Sequence, residues 1–308
     1  MSSIMKGIFA IPVTPFKEDG SLDLESLKKC VDFCLDSGAH GIVMPVNASE
    51  VSTLTHEEWM MVLKTGLSRV KESVPFVAGI SGNSLEICVE RAKICQDLGA
   101  DSIMTMPPGS GGGLVNIREF YEKISAAIEL PIWIQNNKPP NGANVSTDLI
   151  IELLETVSNI KYLKEESEYP GHIMSEVIRR SGKSCESIMG GMGGRFLLDE
   201  FRRGATGTMP AGHFTDLQVK LWNALTLGKE NDDGTREITK EARRLWEVLL
   251  PSLNFEFMFG VTAYKLVFWK RGIISSPFAR IPIRKPFDDQ DMIELDQILD
   301  GMEPDLTT

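Results

Sequence analysis

Cysteine is scarce in this chain. The five residues, Cys30, Cys34, Cys88, Cys95 and Cys185, are odd in number, and no Cys-x-x-Cys occurs among them. They lie scattered in apolar segments, which excludes a disulfide framework or a thiolate zinc cluster as the organising feature. Cys30, Cys34 and Cys88 sit inside helical patterns and read as small core hydrophobes. Basic charge is also in deficit: 32 Lys and Arg against 43 Asp and Glu give a net charge of −11. That sign repels nucleic acid and anionic membranes, so neither is expected as a partner. It leaves room for a small anionic substrate, because a local site can invert the global sign. No apolar leader opens the chain and no stretch is long enough to span a bilayer, so a soluble, cytoplasmic protein is expected. Low-complexity tracts are absent. The first apolar run leads into Thr14-Pro15-Phe16, which lacks the glycine-rich turn that dinucleotide-binding folds require there.

What is there is a rhythm. Short apolar runs recur at Gly7–Val13, Gly41–Val46, Pro75–Ile80, Ser102–Met106, Pro131–Gln135, Ile160–Lys164, Ser184–Met189 and Gly207–Pro210. They are continuously apolar, as strands buried on both faces of a parallel sheet must be. Between them, Leu22–Ser37, His56–Val70, Ser84–Leu98, Ile117–Leu130, Thr147–Val157, His172–Ser181 and Arg195–Arg203 show helical spacing. Thr55 with Glu58 forms a capping box, and Gly38, Gly99 and Gly204 stand where helices end. Eight such units in 308 residues predict an α/β protein, a closed (β/α)8 TIM barrel rather than an open doubly wound sheet. From Phe214 onward the pattern is helical only, over roughly Thr215–Leu227, Thr235–Leu249, Asn254–Arg271 and Asp289–Leu299. Residues 1–226 are therefore assigned to the barrel and 227–308 to a C-terminal helical extension.

Barrel chemistry sits at the C-terminal ends of the strands. Those ends carry Thr14; Asn47-Ala48-Ser49-Glu50; Ser81-Gly82-Asn83; Pro107-Pro108-Gly109; Gln135-Asn136-Asn137; Lys164; Gly190-Gly191; and Pro210 to His213. The set offers no His–carboxylate cluster for a metal and no Ser-His-Asp set. Lys164 closes the sixth run. Strict alternation puts Ile160, Tyr162 and Lys164 on one face and Lys161, Leu163 and Glu165 on the other; Glu166 shares the parity of Lys164. A lysine stripped of water at a strand end has a nucleophilic amine, suited to a Schiff base with a carbonyl substrate. A structural, snorkelling lysine is the alternative. His213 could supply acid–base function, or it is simply a loop or cap histidine. The glycines at 111–113 suggest a mobile loop over the mouth, since no P-loop lysine follows them.

Several motifs together resemble the N-acetylneuraminate lyase / dihydrodipicolinate synthase family of class I aldolases. The opening Gly7 to Phe16 looks like the family's first strand and turn. Gly41 to Thr55 resembles its carboxylate-binding segment, Lys164-Glu165 falls on its Schiff-base lysine, and Gly204 to Met209 matches the approach to its eighth strand. The resemblance implies an imine on Lys164 with no cofactor and no metal. It implies a carboxylate site at Asn47, Ala48 and Ser49, with Gly191 and Met209 also lining the substrate pocket. Glu50 would be a buried structural carboxylate, and the protein a homo-oligomer, tetramer or dimer. The departures are informative. Asn47-Ala48 replace two threonines, and Gln135 stands where the family has a tyrosine. Pro140 stands where synthases carry an arginine, and the neighbour-donated tyrosine is lost within Pro107-Pro108-Gly109. Without the tyrosine relay, the pattern looks more like the sugar-acid dehydratase branch, such as 2-keto-3-deoxy-L-arabonate dehydratase. The expectation is a lyase that dehydrates or cleaves a 2-keto-3-deoxy sugar acid, with Lys164, Gln135 and His213 as catalytic candidates. A pyruvate-condensing synthase and, more remotely, a non-catalytic binding barrel are the alternatives.

Overall fold

The computed structural model describes residues 5–71, 73–107, 116–138, 142–232, 234–281 and 285–307. Eight parallel strands close into a barrel in sequential order: β1 Gly7–Ala10, β2 Gly41–Met44, β3 Phe76–Gly79, β4 Ser102–Thr105, β5 Ile132–Asn137, β6 Ile160–Glu166, β7 Ser187–Gly190 and β8 Gly207–Thr208. The first and last strands pair through Gly7 with Gly207 and Ile8 with Thr208. Nearly every strand residue is buried, which explains why the runs are continuously apolar. Seven helices link the strands: α1 Leu24–Asp36, α2 His56–Val70, α3 Leu85–Asp97, α4 Ile117–Ser125, α5 Thr147–Thr156, α6 Pro170–Ser181 and α7 Leu197–Arg202. The capping box of α2 forms as its residues predict, Thr55 and Glu58 satisfying each other's backbone N–H.

The barrel is filled by side chains. Phe9, Val43, Val77, Met104, Trp133, Tyr162 and Met189 form one interior cluster. The Trp133 and Tyr162 rings lie 4.6 Å apart, and the Trp133 indole N–H donates to Ser102 Oγ at 3.2 Å. Burial of two such rings contributes on the order of 25 cal/mol per Å2 of apolar surface. Ionisable groups gather at the C-terminal end, where Lys164, Glu165 and Glu166 are buried.

One feature of β6 departs from simple alternation. Ile132 pairs with Ile160, but Trp133 pairs with Tyr162, so the register shifts at Lys161. This bulge adds one residue to β6 and turns the strand. Ile160 accordingly packs in the outer core between barrel and helices, while Tyr162 enters the interior; the two do not share a face. Beyond the bulge the alternation holds and brings both Lys164 and Glu166 to the mouth.

The C-terminal part comprises α8 Thr215–Thr226, α9 Lys240–Phe259, α10 Val261–Lys270 and α11 Asp289–Met302. Sequence alone places a break after Leu249, before Pro251. Instead α9 runs through Pro251 and stops at Gly260, whose φ of 57° suits a residue without a Cβ. Pro251 and Glu247, whose carbonyl it leaves unpaired, are both on the exposed side, where the carbonyl is open to solvent. The extension shares a core with the barrel: Ile8, Leu197 and Leu217 pack in one cluster with Leu249, Leu253 and Leu295. No helix among the described residues is long and apolar enough to cross a membrane.

Candidate active site

The mouth is built around β6. Lys164 is 3% exposed and Glu166 8%, and Lys164 Nζ lies 3.1 Å from Glu166 Oε2. The pairing of β5 with β6 sets Gln135 opposite Lys164, and Gln135 Nε2 donates to Glu166 Oε2 at 2.7 Å. The other carboxylate oxygen accepts a long bond, 3.4 Å, from the Met192 amide after β7. Gly191 leaves room for it, since a Cβ there would run into Glu166 Oε1. One carboxylate thus joins β5, β6 and the turn after β7, with the amine against it.

Behind this row lies a second polar layer that fixes the strand ends. Glu165, on the opposite face of β6, accepts from Asn136 Nδ2 and from the Ser167 amide, each at 2.8 Å. Asn136 Oδ1 in turn accepts from the Val145 amide at 2.8 Å. Burial pushes the Glu165 carboxyl above its usual range.

The turn after β2 holds the residues expected to bind a carboxylate. Asn47–Ser49 form a single 3-10 turn, and Ala48 packs against the barrel's interior cluster. The Ser49 hydroxyl does not face the mouth as expected: it is fully buried and donates to the Pro12 carbonyl at 2.8 Å. A buried hydroxyl must donate somewhere, and the first strand's turn supplies the acceptor. The Ser49 amide is likewise used, on Val46 O. The amides of Asn47 and Ala48, first in the turn, have no partner within it, and these are the donors that remain for an anion. Thr14 Oγ1 donates to Ser49 O at 2.6 Å, closing the turn onto β1.

Glu50 is a fixture, as the family motif implies. It is fully buried and left-handed at φ 54°. Its Oε1 accepts the amides of Arg280 and Ile281, each at 2.8 Å, and its other oxygen is ion-paired with the fully buried Lys265. Lys265 also donates to Phe278 O at 2.9 Å. The turn after β2 is therefore anchored to the segment after α10.

His213 is placed apart from the lysine. It is 1% exposed, and its Nε2 lies 2.9 Å from Glu256 Oε1 on α9. Tyr264 of α10 stacks on its ring at 5.0 Å, with Phe214 and Phe268 also against it. It has no bond to Lys164 or Glu166, so the structure does not bring it to the amine. Glu166 occupies the neighbouring place instead, and strand parity was the sequence signal for it. Met209 is buried in the interior cluster beneath the mouth. Pro107, two residues past β4, is buried, whereas Pro108, Gly109, the glycines at 111–113 and Pro140 lie outside the described residues. No group of His, Cys, Asp and Glu that could hold a metal occurs among the described residues.

A closed (β/α)8 barrel with a buried lysine and carboxylate at the mouth of its sixth strand defines a class of protein, the class I aldolase-type lyases. The chain belongs to the dihydrodipicolinate synthetase family, whose model matches residues 4–300, and it is a lyase of that type. It is 31% identical over 283 residues to an L-2-keto-3-deoxyarabonate dehydratase of Azospirillum brasilense, covering 90% of this chain and 88% of that one. It is 31% identical over 189 residues to a 4-hydroxy-tetrahydrodipicolinate synthase of Methanococcus aeolicus, covering 61% and 64%. Among solved structures, a putative dihydrodipicolinate synthetase from Pseudomonas aeruginosa superposes with a TM-score of 0.86 at 27% identity, covering 97% of this chain and 99% of that one.

Proposed function

We propose that the protein dehydrates a 2-keto-3-deoxy sugar acid through a covalent imine on Lys164, without a cofactor. The observation that carries this reading is the Glu166 carboxylate, 3.1 Å from Lys164 Nζ and held by Gln135 at 2.7 Å. Glu166 takes a proton from the ammonium, and the free amine adds to the C2 carbonyl. Glu166 returns that proton to the carbinolamine hydroxyl, which leaves as water, and the protonated imine that remains draws electrons from C3. Glu166 removes a C3 proton to give the enamine. The enamine electrons then expel the C4 hydroxyl, which leaves as water with the proton that Glu166 returns. An acid–base group beside the amine replaces the phenol relay absent from this chain.

Gln135 cannot carry a proton. Its N–H orients Glu166, and its carbonyl oxygen remains free to accept from a substrate hydroxyl. The substrate carboxylate is assigned to the Asn47 and Ala48 amides. Gly191 and Met209 complete the pocket wall, and the assembly is a homo-oligomer. Condensation onto pyruvate, the alternative reading, would keep Lys164; Gln135 in place of a proton-carrying phenol favours elimination.

Borohydride added with pyruvate should leave a mass adduct on Lys164 and none on Lys164→Ala. With 2-keto-3-deoxy-L-arabonate, water loss without pyruvate release is expected. Absence of any keto-acid adduct would overturn the imine; pyruvate release would replace dehydration by aldol cleavage.

A further inference from the structure

The C-terminal helices bring a second polar cluster up to the turn after β7. Glu256 of α9 reaches the turn after β7, where a Cβ on Gly193 would come within 2.9 Å of Glu256 Oε2. One residue earlier, the Met192 amide bonds Glu166. His213 bridges from Glu256 to Tyr264, bonded to the first at 2.9 Å and stacked on the second at 5.0 Å. The cluster Glu256–His213–Tyr264 is thus contiguous, through Gly193 and Met192, with the carboxylate that faces Lys164. Two polar atoms in it lack partners. His213 Nδ1 is buried with none, and the hydroxyl of half-buried Tyr264 makes no hydrogen bond among the described residues. The phenol stays protonated: burial first, then the charges of Glu256 and Glu166, push it up. It is an O–H donor without a protein partner among the described residues. Unsatisfied polar groups of this kind cost stability unless a ligand or water meets them.

We infer that Tyr264, backed by His213 and Glu256, forms the subsite for the hydroxylated tail of the keto acid and is a specificity-determining residue. The keto end is held at Lys164 and the carboxylate at the turn after β2, so the tail of a five- or six-carbon acid is left to extend toward the cluster that has spare donors and acceptors. A site that bonds a substrate hydroxyl discriminates against a chain lacking it, since the buried polar groups are otherwise stranded.

The inference rests on the imine proposed above, and the test separates the two. Wild type and Tyr264→Phe, which keeps the ring and its stack on His213, are compared with three probes. These are pyruvate, 2-oxopentanoate and 2-keto-3-deoxy-L-arabonate, each assayed by the concentration giving half-maximal borohydride trapping. Tyr264→Phe is expected to weaken 2-keto-3-deoxy-L-arabonate about tenfold, the size of one hydrogen bond of about 1.4 kcal/mol. Pyruvate and 2-oxopentanoate, which carry no tail hydroxyl, should be trapped alike by both proteins, and pyruvate trapping also reports that the variant is folded. Equal trapping of 2-keto-3-deoxy-L-arabonate by the two proteins, or an equal loss with all three probes, overturns the subsite while leaving the imine in place. Failure of wild type to trap any probe overturns both.

Discussion

At the scale of single residues, the chemistry turns on where one carboxylate is held. Glu166 has the lysine on one side, the Gln135 amide on the same oxygen, and the Met192 amide at its other oxygen. Glu166→Gln keeps the shape and the bond to Lys164 but removes the proton carrier. Turnover should fall by roughly 10²- to 10⁴-fold, the usual contribution of a positioned acid–base group, while the pyruvate adduct on Lys164 still accumulates on long incubation with borohydride. Loss of water at the wild-type rate would show that another group moves the proton. Gly191→Ala tests the same carboxylate from behind. The added methyl occupies the place of Glu166 Oε1, so the carboxylate must swing away from the amine. We expect kcat to drop at least about tenfold, in line with the cost of a misplaced catalytic group, with an unchanged circular dichroism spectrum.

At the scale of elements, the turn after β2 and the segment after α10 behave as one piece. Glu50 accepts two amides from Arg280 and Ile281 and is paired with Lys265, which is fully buried and lies over the Phe16 ring at 4.2 Å. Removing one member of a buried pair leaves the other charge uncompensated. Lys265→Met should therefore cost about 3–5 kcal/mol, read as a lower denaturant midpoint; a change under 1 kcal/mol, of the size of an exposed pair, would show that the pair is not structural. This is also the scale at which the sequence was most and least legible. The barrel could be read because parallel strands buried on both faces are continuous apolar runs, and Lys164 because it closes one of them. The bulge that turns Ile160 outward could not, since register belongs to two strands and appears in neither alone. The helix through Pro251 was missed because an exposed carbonyl can lose its partner to water, and hydropathy does not show which side faces out. The pairing of His213 with Glu256 joins residues 43 apart in sequence, and only the packing of α9 on the mouth brings them together. Glu166 was visible by parity, but its importance depends on Gln135 from the neighbouring strand.

At the scale of the whole molecule, stability should respond to pH through two buried carboxyls of opposite sense. Asp216 on α8 is bonded to Arg271 at 2.7 Å and to Thr307 near the C-terminus at 2.9 Å. Burial works against its charge, but the Arg271 bonds outweigh it and hold the carboxyl below its usual 3.8. Its contribution is thus complete above pH 3.8 and is lost as pH falls through the lower folded-state value. Glu200 on α7 is 1% exposed, and one of its oxygens has no partner. Burial, and then the charges of Asp199, Glu166 and Glu165, push it well above 4.5. The folded protein keeps a proton there that the unfolded chain releases near pH 4.5, so stability falls as pH rises above that point, by up to about 1.4 kcal/mol per pH unit until the native group ionises. Glu200→Gln preserves the shape and abolishes this titration. Its unfolding free energy, measured by urea between pH 5 and 8, should be flatter with pH than that of wild type, the gain over wild type growing toward pH 8. Parallel curves for the two proteins would mean that Glu200 is already ionised in the folded state, and that the charge behind β7 is balanced by a group other than its own proton.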